Sequence, residues 1–184
     1  MSASNNFKKD LFRYSGKLNT FPLWITILFN SGARFIFLYR LCNKFRIKNP
    51  IGFLSRIWIK LLTNRFNVEI PHKVRIGHGL YLGHFKNIII NQNASIGEDC
   101  NIMQGVTIGN ESRGKRKGSP IIGNRVLIGP NSVVSGKIII GNDVLIAPLT
   151  FVNFDVPDNA VVLGNPAKVV AYSGSKGYIN RIYE

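Results

Sequence analysis

The sequence has few acidic residues, few cysteines and no long hydrophobic run. Its 184 residues include nine Asp and Glu against 24 Lys and Arg, and two cysteines, Cys42 and Cys100. Two distant cysteines without paired spacing argue against a disulfide framework and favour a reducing compartment. The most apolar stretch, 21–41, is interrupted by one Asn and two Arg, whereas a membrane span needs about 20 nearly uninterrupted apolar residues. We therefore expect neither a disulfide scaffold nor a transmembrane helix.

The composition is that of a folded domain. Hydrophobic residues make up 45% and charged residues 18% of the chain, which is too apolar for intrinsic disorder. A length of 184 residues allows one domain with a small appendage. Residues 1–13 are polar and basic, and no apolar core with a small-residue cleavage site follows them, so we expect no signal peptide and a cytoplasmic location.

The positive charge is concentrated at the N-terminus. The net charge is +15, and residues 1–66 hold 12 of the basic residues but a single acid, Asp10. Such a field favours phosphates, anionic lipid or acidic ligands.

From residue 70 onward an aliphatic residue recurs every six positions, and Gly often follows it. A helical period of 3.6 or a strand period of 2 does not lock Gly to one phase, whereas a short strand plus a tight turn in each hexad does. Three hexads make a coil of about 18 residues, so the pattern predicts an all-β prism of parallel coils. The aliphatic positions are Ile70, Ile76, Leu82, Ile90, Ile96, Ile102, Ile108, Ile122, Ile128, Val134, Ile140, Ile146 and Val152.

The hexad phase slips twice. Between Leu82 and Ile90 two residues are inserted, which we place directly after His84. Between Ile108 and Ile122 the repeat is lost over residues 110–120, which are basic and rich in Gly. We expect this segment to protrude, either as a solvated loop or as a flap that brings Arg or Lys to a phosphate-bearing ligand.

Ahead of the hexads, residues 21–45 and 50–66 have helical spacing of apolar residues. Helices there would cap the open end of the prism, which a solenoid requires. A second interpretation uses the aromatic residues that alternate with Arg and Lys, because such a surface suits anionic headgroups and would place the protein at the inner face of the membrane. The aromatic residues concerned are Trp24, Phe29, Phe37, Tyr39 and Trp58.

The three histidines, His72, His78 and His84, are spaced by six residues. In a three-sided coil that spacing places them on three different faces, so no three-histidine metal site can form within one subunit. We expect no metal, and a hexad-repeat carbonic anhydrase is a weak rival because zinc needs converging ligands.

Four stretches carry a family resemblance. They are EIPHKVRIGHGLYLGH (69–84), NIMQGVTIGN (101–110), SPIIGNRVLIGPNSVVSGKIIIGNDVLIAPLTFV (119–152) and VPDNAVVLGNPAKVV (156–170). Residues 69–170 resemble the left-handed β-helix of hexapeptide-repeat acyltransferases in the serine acetyltransferase branch, and are closest in pattern to bacterial polysaccharide O-acetyltransferases of the colanic-acid type. Together with the helical spacing ahead of the hexads and the loss of the repeat over 110–120, this predicts an N-terminal helical cap (1–66), a β-helix domain (67–170) with a protruding loop (110–120), and a C-terminal tail (171–184).

The resemblance also implies a reaction and its residues. It implies acetyl-CoA as co-substrate and a cleft between the subunits of a homotrimer, with His84 as general base on the acceptor hydroxyl and Glu69 orienting the imidazole. By position, the cofactor side would contain Gly109, Asn110, Gly129, Pro130, Ala147, Pro148 and Lys168, with Lys168 facing a CoA phosphate. Pro130 and Pro148 each remove an amide donor from that groove.

Two departures from serine acetyltransferases bear on the acceptor. Those enzymes have Asp before the catalytic His and an Arg-His pair after the loop, where this chain has Gly83 and then Gly118 with Ser119. Serine would leave its charges unpaired at such a site. We therefore expect a saccharide acceptor of polysaccharide biosynthesis, either free or linked to lipid.

Two alternatives stay open at this stage. The first is a serine O-acetyltransferase of cysteine biosynthesis. The second is a nonenzymatic basic scaffold that binds membrane or nucleic acid, although the chain has no recognised nucleic-acid module and we expect no nucleic-acid partner.

Overall fold

Four helices precede the repeats. The computed structural model describes residues 3–17 and 20–183, with α1 at Ala3–Ser15, α2 at Thr20–Phe29, α3 at Ser31–Lys44 and α4 at Pro50–Phe66. The predicted helix over 50–66 is confirmed. Residues 21–45 are also helical, but the chain divides there at Asn30 into α2 and α3, a break that the apolar spacing did not indicate, and α1 was not predicted.

Asparagine residues at the helix starts explain these boundaries. The Asn30 side chain accepts a hydrogen bond from the Ala33 amide at 3.0 Å, and the Asn49 side chain accepts one from the Ile51 amide at 2.9 Å. Each side chain caps amides that have no partner within the helix. Pro50, in the first turn of α4, fits there because its missing N–H would be unpaired in any case.

The hexads form a three-sided parallel prism. Its strands are β1 (Arg75–Ile76), β2 (Tyr81–Leu82), β3 (Ile89–Ile90), β4 (Ser95–Ile96), β5 (Asn101–Ile102), β6 (Thr107–Gly109), β7 (Ile121–Ile122), β8 (Leu127–Ile128), β9 (Val133–Ser135), β10 (Ile139–Ile140), β11 (Leu145–Ile146), β12 (Phe151–Val152), β13 (Val161–Leu163) and β14 (Lys168–Ala171). Up to β12 every third strand stacks on the last, which gives a β1 sheet, a β2 sheet and a β3 sheet, each named after its first strand, and β13 and β14 extend the β2 sheet. Only β13 and β14 pair antiparallel within these sheets.

The predicted inward positions form the core. Ile90, Ile102, Ile108, Ile128 and Ile146 are all almost completely buried. Each pairs in register with the equivalent residue one coil away, as Ile102 does with Ile128. The predicted six-residue pattern is therefore confirmed, and its physical basis is the stacking of equivalent aliphatic residues from coil to coil.

A buried ion pair attaches the helices to the first coil. Asp10 of α1 is fully buried and lies 2.7 Å from the Arg40 Nε of α3. The same carboxylate accepts a hydrogen bond from the Gly79 amide at 2.7 Å, and the Arg40 guanidinium donates to the Ile76 carbonyl at 2.8 Å. Burial raises the pKa of Asp10, and the neighbouring Arg40 opposes that rise. The pair thus fixes two helices to the turn between β1 and β2.

The aromatic surface predicted on the helices is only partly present. Tyr39 belongs to the core and donates its hydroxyl to the Val74 carbonyl. Phe37 is partly buried against Phe7, with ring centroids 4.9 Å apart. Trp24 and Trp58 are exposed. Tyr39 and Phe37 serve packing because their positions face the prism and α1.

The C-terminal residues return to the helices. Arg13 of α1 donates to the Asn180 carbonyl, and Arg181 donates to the Tyr14 carbonyl at 2.6 Å. The Ser175 hydroxyl donates to the Arg125 carbonyl at 2.9 Å. The described part of the tail therefore lies along the prism. The predicted domain boundaries at 66/67 and 170/171 stay predictions.

Candidate active site

His84 lies at the corner between the β2 and β3 sheets, which we call the β2–β3 corner. It follows β2 after Gly83 and has a left-handed backbone conformation with φ of 47°. Ten described non-glycine residues of this chain have positive φ, so the conformation is common at its turns and does not by itself distinguish His84. The imidazole is exposed.

The coil register locates the two inserted residues. Leu82 pairs with Ile102 of the next coil, and the Lys86 carbonyl accepts a hydrogen bond from the Gly105 amide at 3.1 Å. Lys86 is therefore level with Gln104, as Leu82 is with Ile102. Three residues lie between Leu82 and Lys86, whereas a single residue lies between Ile102 and Gln104. The insertion is therefore His84–Phe85. Our placement of both extra residues after His84 is wrong by one position, because sequence spacing cannot show which residues keep the hydrogen-bond ladder.

Phe85 explains why the imidazole points outward. Its side chain is 7% exposed, and its ring lies 5.1 Å from that of Phe35 in α3 and 5.4 Å from that of Phe66 in α4. Adjacent residues in this bulge cannot both point inward. Packing of Phe85 against two helices thus leaves His84 on the solvent side.

A cleft of about 500 Å³ opens beside His84. It lies between the end of α2, the start of α3, the end of α4 and the inserted turn. Its lining residues are Phe29, Asn30, Ser31, Gly32, Phe66, Tyr81, Leu82, His84, Phe85 and Lys86. Sequence reasoning missed Lys86 and the aromatic walls. Lys86 stands two residues after His84, beside the phase slip, and this short separation was a signal that it could line the same cleft.

Glu69 is one coil away from this cleft. Its amide donates to the Ile88 carbonyl at 2.7 Å, and its carbonyl accepts from the Ile90 amide at 2.8 Å. Its side chain borders a second cavity of about 250 Å³, which it shares with His72. Within residues 3–17 and 20–183 no hydrogen bond or ion pair joins the Glu69 carboxylate to the His84 ring. The predicted orienting role of Glu69 stays a prediction.

Gly83 stands where the resembling family has Asp, and a side chain of the next coil occupies the space beside it. A Cβ built on Gly83 would lie 2.6 Å from the Met103 sulfur and 2.8 Å from its terminal methyl carbon. Met103 therefore fills the space that a larger residue at 83 would need. A side chain at 83 requires Met103 to move.

Four of the predicted cofactor residues line the same corner as His84. Gly129 and Pro130 lie two coils beyond it, and Ala147 and Pro148 lie three coils beyond it. With about 4.8 Å between paired strands, the column is about 14 Å long. The Gly129 amide donates to the Ile146 carbonyl at 2.8 Å and the Ala147 amide donates to the Val162 carbonyl at 2.9 Å. These two amides donate the backbone hydrogen bonds that join neighbouring coils, so they are not free to bind a ligand.

The other three cofactor candidates lie elsewhere in this single chain. Gly109 ends β6, and Asn110 begins the predicted loop, so both are at a different corner of the prism. Lys168 begins β14, where its side chain is exposed. The structure thus groups four of the seven residues with His84 and separates three. Their predicted contacts with a cofactor stay predictions.

Backbone hydrogen bonds close the base of the loop over 110–120. Glu111 and Gly118 exchange backbone hydrogen bonds of 3.0 Å and 2.9 Å. The Arg116 carbonyl accepts a hydrogen bond from the Lys137 amide at 2.8 Å, and the basic side chains are exposed. The base of the loop is fixed to neighbouring coils, and its protrusion stays a prediction.

The three histidines lie at three different corners, as predicted. His72 is exposed, whereas His78 is buried, with its Nε2 3.2 Å from the Glu98 carboxylate and 3.4 Å from the Lys9 ammonium. In the described parts of the chain no three His, Cys, Asp or Glu side chains come together as metal ligands.

Comparisons with known proteins identify the family. Residues 119–153 match the model described as bacterial transferase hexapeptide (six repeats). The chain is 32% identical to a serine acetyltransferase of Helicobacter pylori (strain ATCC 700392 / 26695) over 147 residues, which are 80% of this chain and 85% of the relative.

Two solved structures show the same fold with ligands. Serine acetyltransferase of Neisseria gonorrhoeae in complex with serine is 29% identical, with a TM-score of 0.72 over 92% of this chain and 69% of that one. Serine acetyltransferase of Brucella abortus in complex with coenzyme A is 25% identical, with a TM-score of 0.75 over 93% of this chain and 68% of that one. The predicted left-handed β-helix is therefore confirmed.

The relatives also correct two predictions. A saccharide acceptor in polysaccharide biosynthesis, and a nearest likeness to polysaccharide O-acetyltransferases, are not supported, because these relatives are serine acetyltransferases. The saccharide prediction drawn from Gly83, Gly118 and Ser119 is wrong, because the lack of charged side chains at these positions does not determine which acceptor binds. Another residue can supply a charge, and Lys86 places a cation in the cleft.

The alternative of a nonenzymatic scaffold is also set aside by these comparisons. The chain belongs to the serine acetyltransferase family of hexapeptide-repeat transferases and is an acyltransferase.

Proposed function

We propose that this enzyme is a serine O-acetyltransferase, which transfers the acetyl group of acetyl-CoA to the hydroxyl of L-serine. The observation that carries the proposal is the exposed His84 imidazole at the mouth of a cleft of about 500 Å³. Relatives with solved structures bind serine in one case and coenzyme A in another. An imidazole is the side chain best suited to accept a proton near neutral pH.

In the proposed reaction His84 acts as general base. Its free ring nitrogen takes the proton of the serine hydroxyl as the oxygen attacks the acetyl carbonyl carbon. A carbon–oxygen bond forms and the carbon–sulfur bond breaks. The imidazolium then returns its proton to the departing thiolate, so charges and protons balance. A positioned base of this kind contributes roughly 10² to 10⁴ in rate.

Glu69 is the proposed positioning residue for His84. A carboxylate that accepts a hydrogen bond from one ring nitrogen holds the imidazole in the tautomer whose other nitrogen is free. Glu69 pairs in the ladder with Ile89, which is five residues after His84. Both side chains are exposed, and we propose that they turn towards each other when the substrate is bound.

The β2–β3 corner is the proposed path for the pantetheine arm of acetyl-CoA. The column from His84 to Pro148 is straight, and a Cβ at Gly129 would lie 2.7 Å from the Pro148 nitrogen, so Gly129 keeps the coils closely stacked. Because the Gly129 and Ala147 amides are engaged in the ladder, contacts with the arm would come from carbonyl oxygens and apolar surface. Gly109 and Asn110 at the loop base and the exposed Lys168 are then candidates for the more polar end of the ligand.

Lys86 is the proposed partner of the serine carboxylate. Among the described residues that line the His84 cleft, it is the one cation. Its side chain is exposed and can therefore reorient towards a bound anion. An ammonium pairs with a carboxylate as a compact point charge, which suits a small amino acid.

We further propose that the working enzyme is a homotrimer with the cleft completed by a neighbouring subunit. Ile121 of β7 and Ile139 of β10 pair side by side on the β1 sheet, and both side chains are exposed in the single chain. An apolar strip of this kind is commonly covered by another subunit. Sedimentation of the purified protein at three times 20.6 kDa would support the proposal, and sedimentation as a monomer would contradict it.

The proposed function is tested by following the coenzyme A thiol released from acetyl-CoA. We expect release to depend on L-serine, to saturate with it, and to produce one O-acetylserine for each thiol by mass spectrometry. Glycine, which has the same charged groups but no hydroxyl, is the matched control acceptor and should give only background hydrolysis. Thiol release at the same rate with glycine and with serine would contradict the proposal.

A further inference from the structure

The outward face of α4 is apolar, although other described residues cover only about half of it. Its residues recur at helical spacing on the side opposite Gly52, Ser55 and Leu62, which are buried against the rest of the fold. Each of the six side chains is between 43% and 54% exposed. This α4 apolar face is formed by Ile51, Phe53, Leu54, Ile57, Trp58 and Leu61.

Such a face is unusual in a water-exposed helix. A surface helix normally has polar residues opposite its buried stripe. The inner side of α4 contains the buried Gly52, Ser55 and Leu62, with Ile59 and Phe66 packed against the core, and large apolar side chains also lie on the outer side. Contiguous exposed apolar surface of this size marks an interaction site.

Basic residues surround the α4 apolar face. Lys44, Arg46 and Lys48 precede α4, and Lys60 and Arg65 lie in its last two turns; all five side chains are exposed. No ion pair to a described acidic residue involves any of them. The sequence has no Asp or Glu between residues 11 and 68. The charge around the face is therefore uncompensated.

Three other basic residues of α3 and α4 have hydrogen-bond or ion-pair partners within the protein. Arg34 donates to the Ile27 carbonyl at 3.0 Å, and Arg56 donates to the Cys42 carbonyl at 2.9 Å. Arg40 is engaged by the buried Asp10. Of the five exposed cations, Lys44 lies over the Phe45 ring, with its ammonium 5.4 Å from the ring centroid. Among the described contacts the other four have no internal partner.

These charges decide between two ways of covering the face. A second copy of the chain would bring two positive surfaces together with no acid between residues 11 and 68 to pair with them. An anionic bilayer supplies the opposite charge, with about 1 kcal/mol of attraction for each Lys or Arg near the surface. Trp58 at the apolar face is also a residue type preferred at the headgroup level.

We propose that α4 lies on the surface of an anionic membrane, with the α4 apolar face inserted at the headgroup boundary and its basic neighbours against lipid phosphates. Among the described helices none is long and apolar enough to cross a bilayer, so the contact is peripheral. With 17 residues, α4 is about 25 Å long, enough for an in-plane anchor. This inference does not depend on which acceptor the enzyme uses.

The test is flotation of the purified full chain with lipid vesicles. We expect binding to vesicles that contain 30% phosphatidylglycerol in phosphatidylcholine, at least tenfold weaker binding to phosphatidylcholine alone, and weaker binding as salt is raised. The double variant Leu54→Gln/Leu61→Gln should bind the anionic vesicles about a hundredfold more weakly, because two inserted apolar side chains are lost.

A matched control removes two equally exposed aliphatic residues from the other end of the prism. Leu163 and Val170 are 51% and 55% exposed, against 54% for both Leu54 and Leu61. Leu163→Gln/Val170→Gln should bind vesicles like the wild type. Circular dichroism of both double variants should match the wild type, since all four side chains are at the surface.

Three results would overturn the proposal. They are equal binding to neutral and anionic vesicles, equal loss in the two double variants, and a smaller assembly in lipid-free sedimentation for Leu54→Gln/Leu61→Gln alone. The last result would show that the α4 apolar face joins two copies of the chain. Brominated lipid that fails to quench Trp58 in a Trp24→Phe background would also contradict insertion.

Discussion

Replacement of Phe85 by Ala tests how the fold holds the His84 turn. The ring is 7% exposed and packs against Phe35 and Phe66 at 5.1 Å and 5.4 Å. Truncation of a buried Phe to Ala costs about 3–5 kcal/mol in the free energy of unfolding. At roughly 2–4 °C for each kcal/mol in a chain of this size, the melting temperature should fall by about 10 °C.

The matched control is Phe53→Ala, because Phe53 is 52% exposed on α4. We expect this change to shift the unfolding free energy by less than about 1 kcal/mol. Both variants are compared by urea denaturation at one protein concentration, and by kcat below the melting transition. Phe85→Ala should also lower kcat, since the turn that presents His84 loses its anchor. Equal stability losses in the two variants, or an unchanged kcat in Phe85→Ala, would refute the proposed coupling of packing and catalysis.

Three further predictions concern charge and burial. Lys86→Met should raise KM for L-serine about tenfold and leave KM for acetyl-CoA unchanged; an unchanged KM for serine in steady-state kinetics would exclude Lys86 as the carboxylate partner. Asp10→Asn should lower the unfolding free energy by about 3 kcal/mol in urea, because the Arg40 charge loses its buried partner, and a neutral effect would show that the pair is dispensable. Burial raises the pKa of the Cys100 thiol to about 12 in the folded protein. As the pH rises above the ordinary thiol pKa, this thiol ionises first in the unfolded chain. The free energy of unfolding should then fall by up to about 1.4 kcal/mol for each pH unit. Cys100→Ala should weaken that alkaline loss between pH 8 and 10, and an identical slope in wild type and variant would contradict it.

The prism was predictable because its physical rule repeats. An aliphatic residue at every sixth position, as at Ile102 and Ile128, is buried once in each coil and pairs with its equivalent in the next. A repeated local interaction of this kind leaves a repeated sequence signal. The helix at 50–66 was predictable for a related reason, since Asn49 and Pro50 give a local start signal.

The helical break at Asn30 was harder to predict. Apolar residues continue on both sides of it, and the cap depends on a single side chain that accepts a hydrogen bond from Ala33. Likewise α1 is held by tertiary contacts, notably the buried Asp10 and Arg40. Pairs that are 30 residues apart leave no periodic signal in the chain.

The site was predictable only in part. The phase slip beside His84 pointed to the corner where the structure has an exposed imidazole and a cleft. Lys86, the cation that lines this cleft, was not predicted, because it reaches the cleft through the inserted turn and not through a family motif. Packing of Phe85 between two helices, which decides that His84 points outward, also depends on tertiary contacts.

The role of His84 is tested most directly by serine-dependent thiol release in His84→Ala and His84→Gln. We predict that both variants bind acetyl-CoA and keep the wild-type circular dichroism, while kcat falls by about 10² to 10⁴ because no side chain takes the hydroxyl proton. A kcat within a fewfold of the wild type in a folded variant would contradict general-base catalysis by this residue.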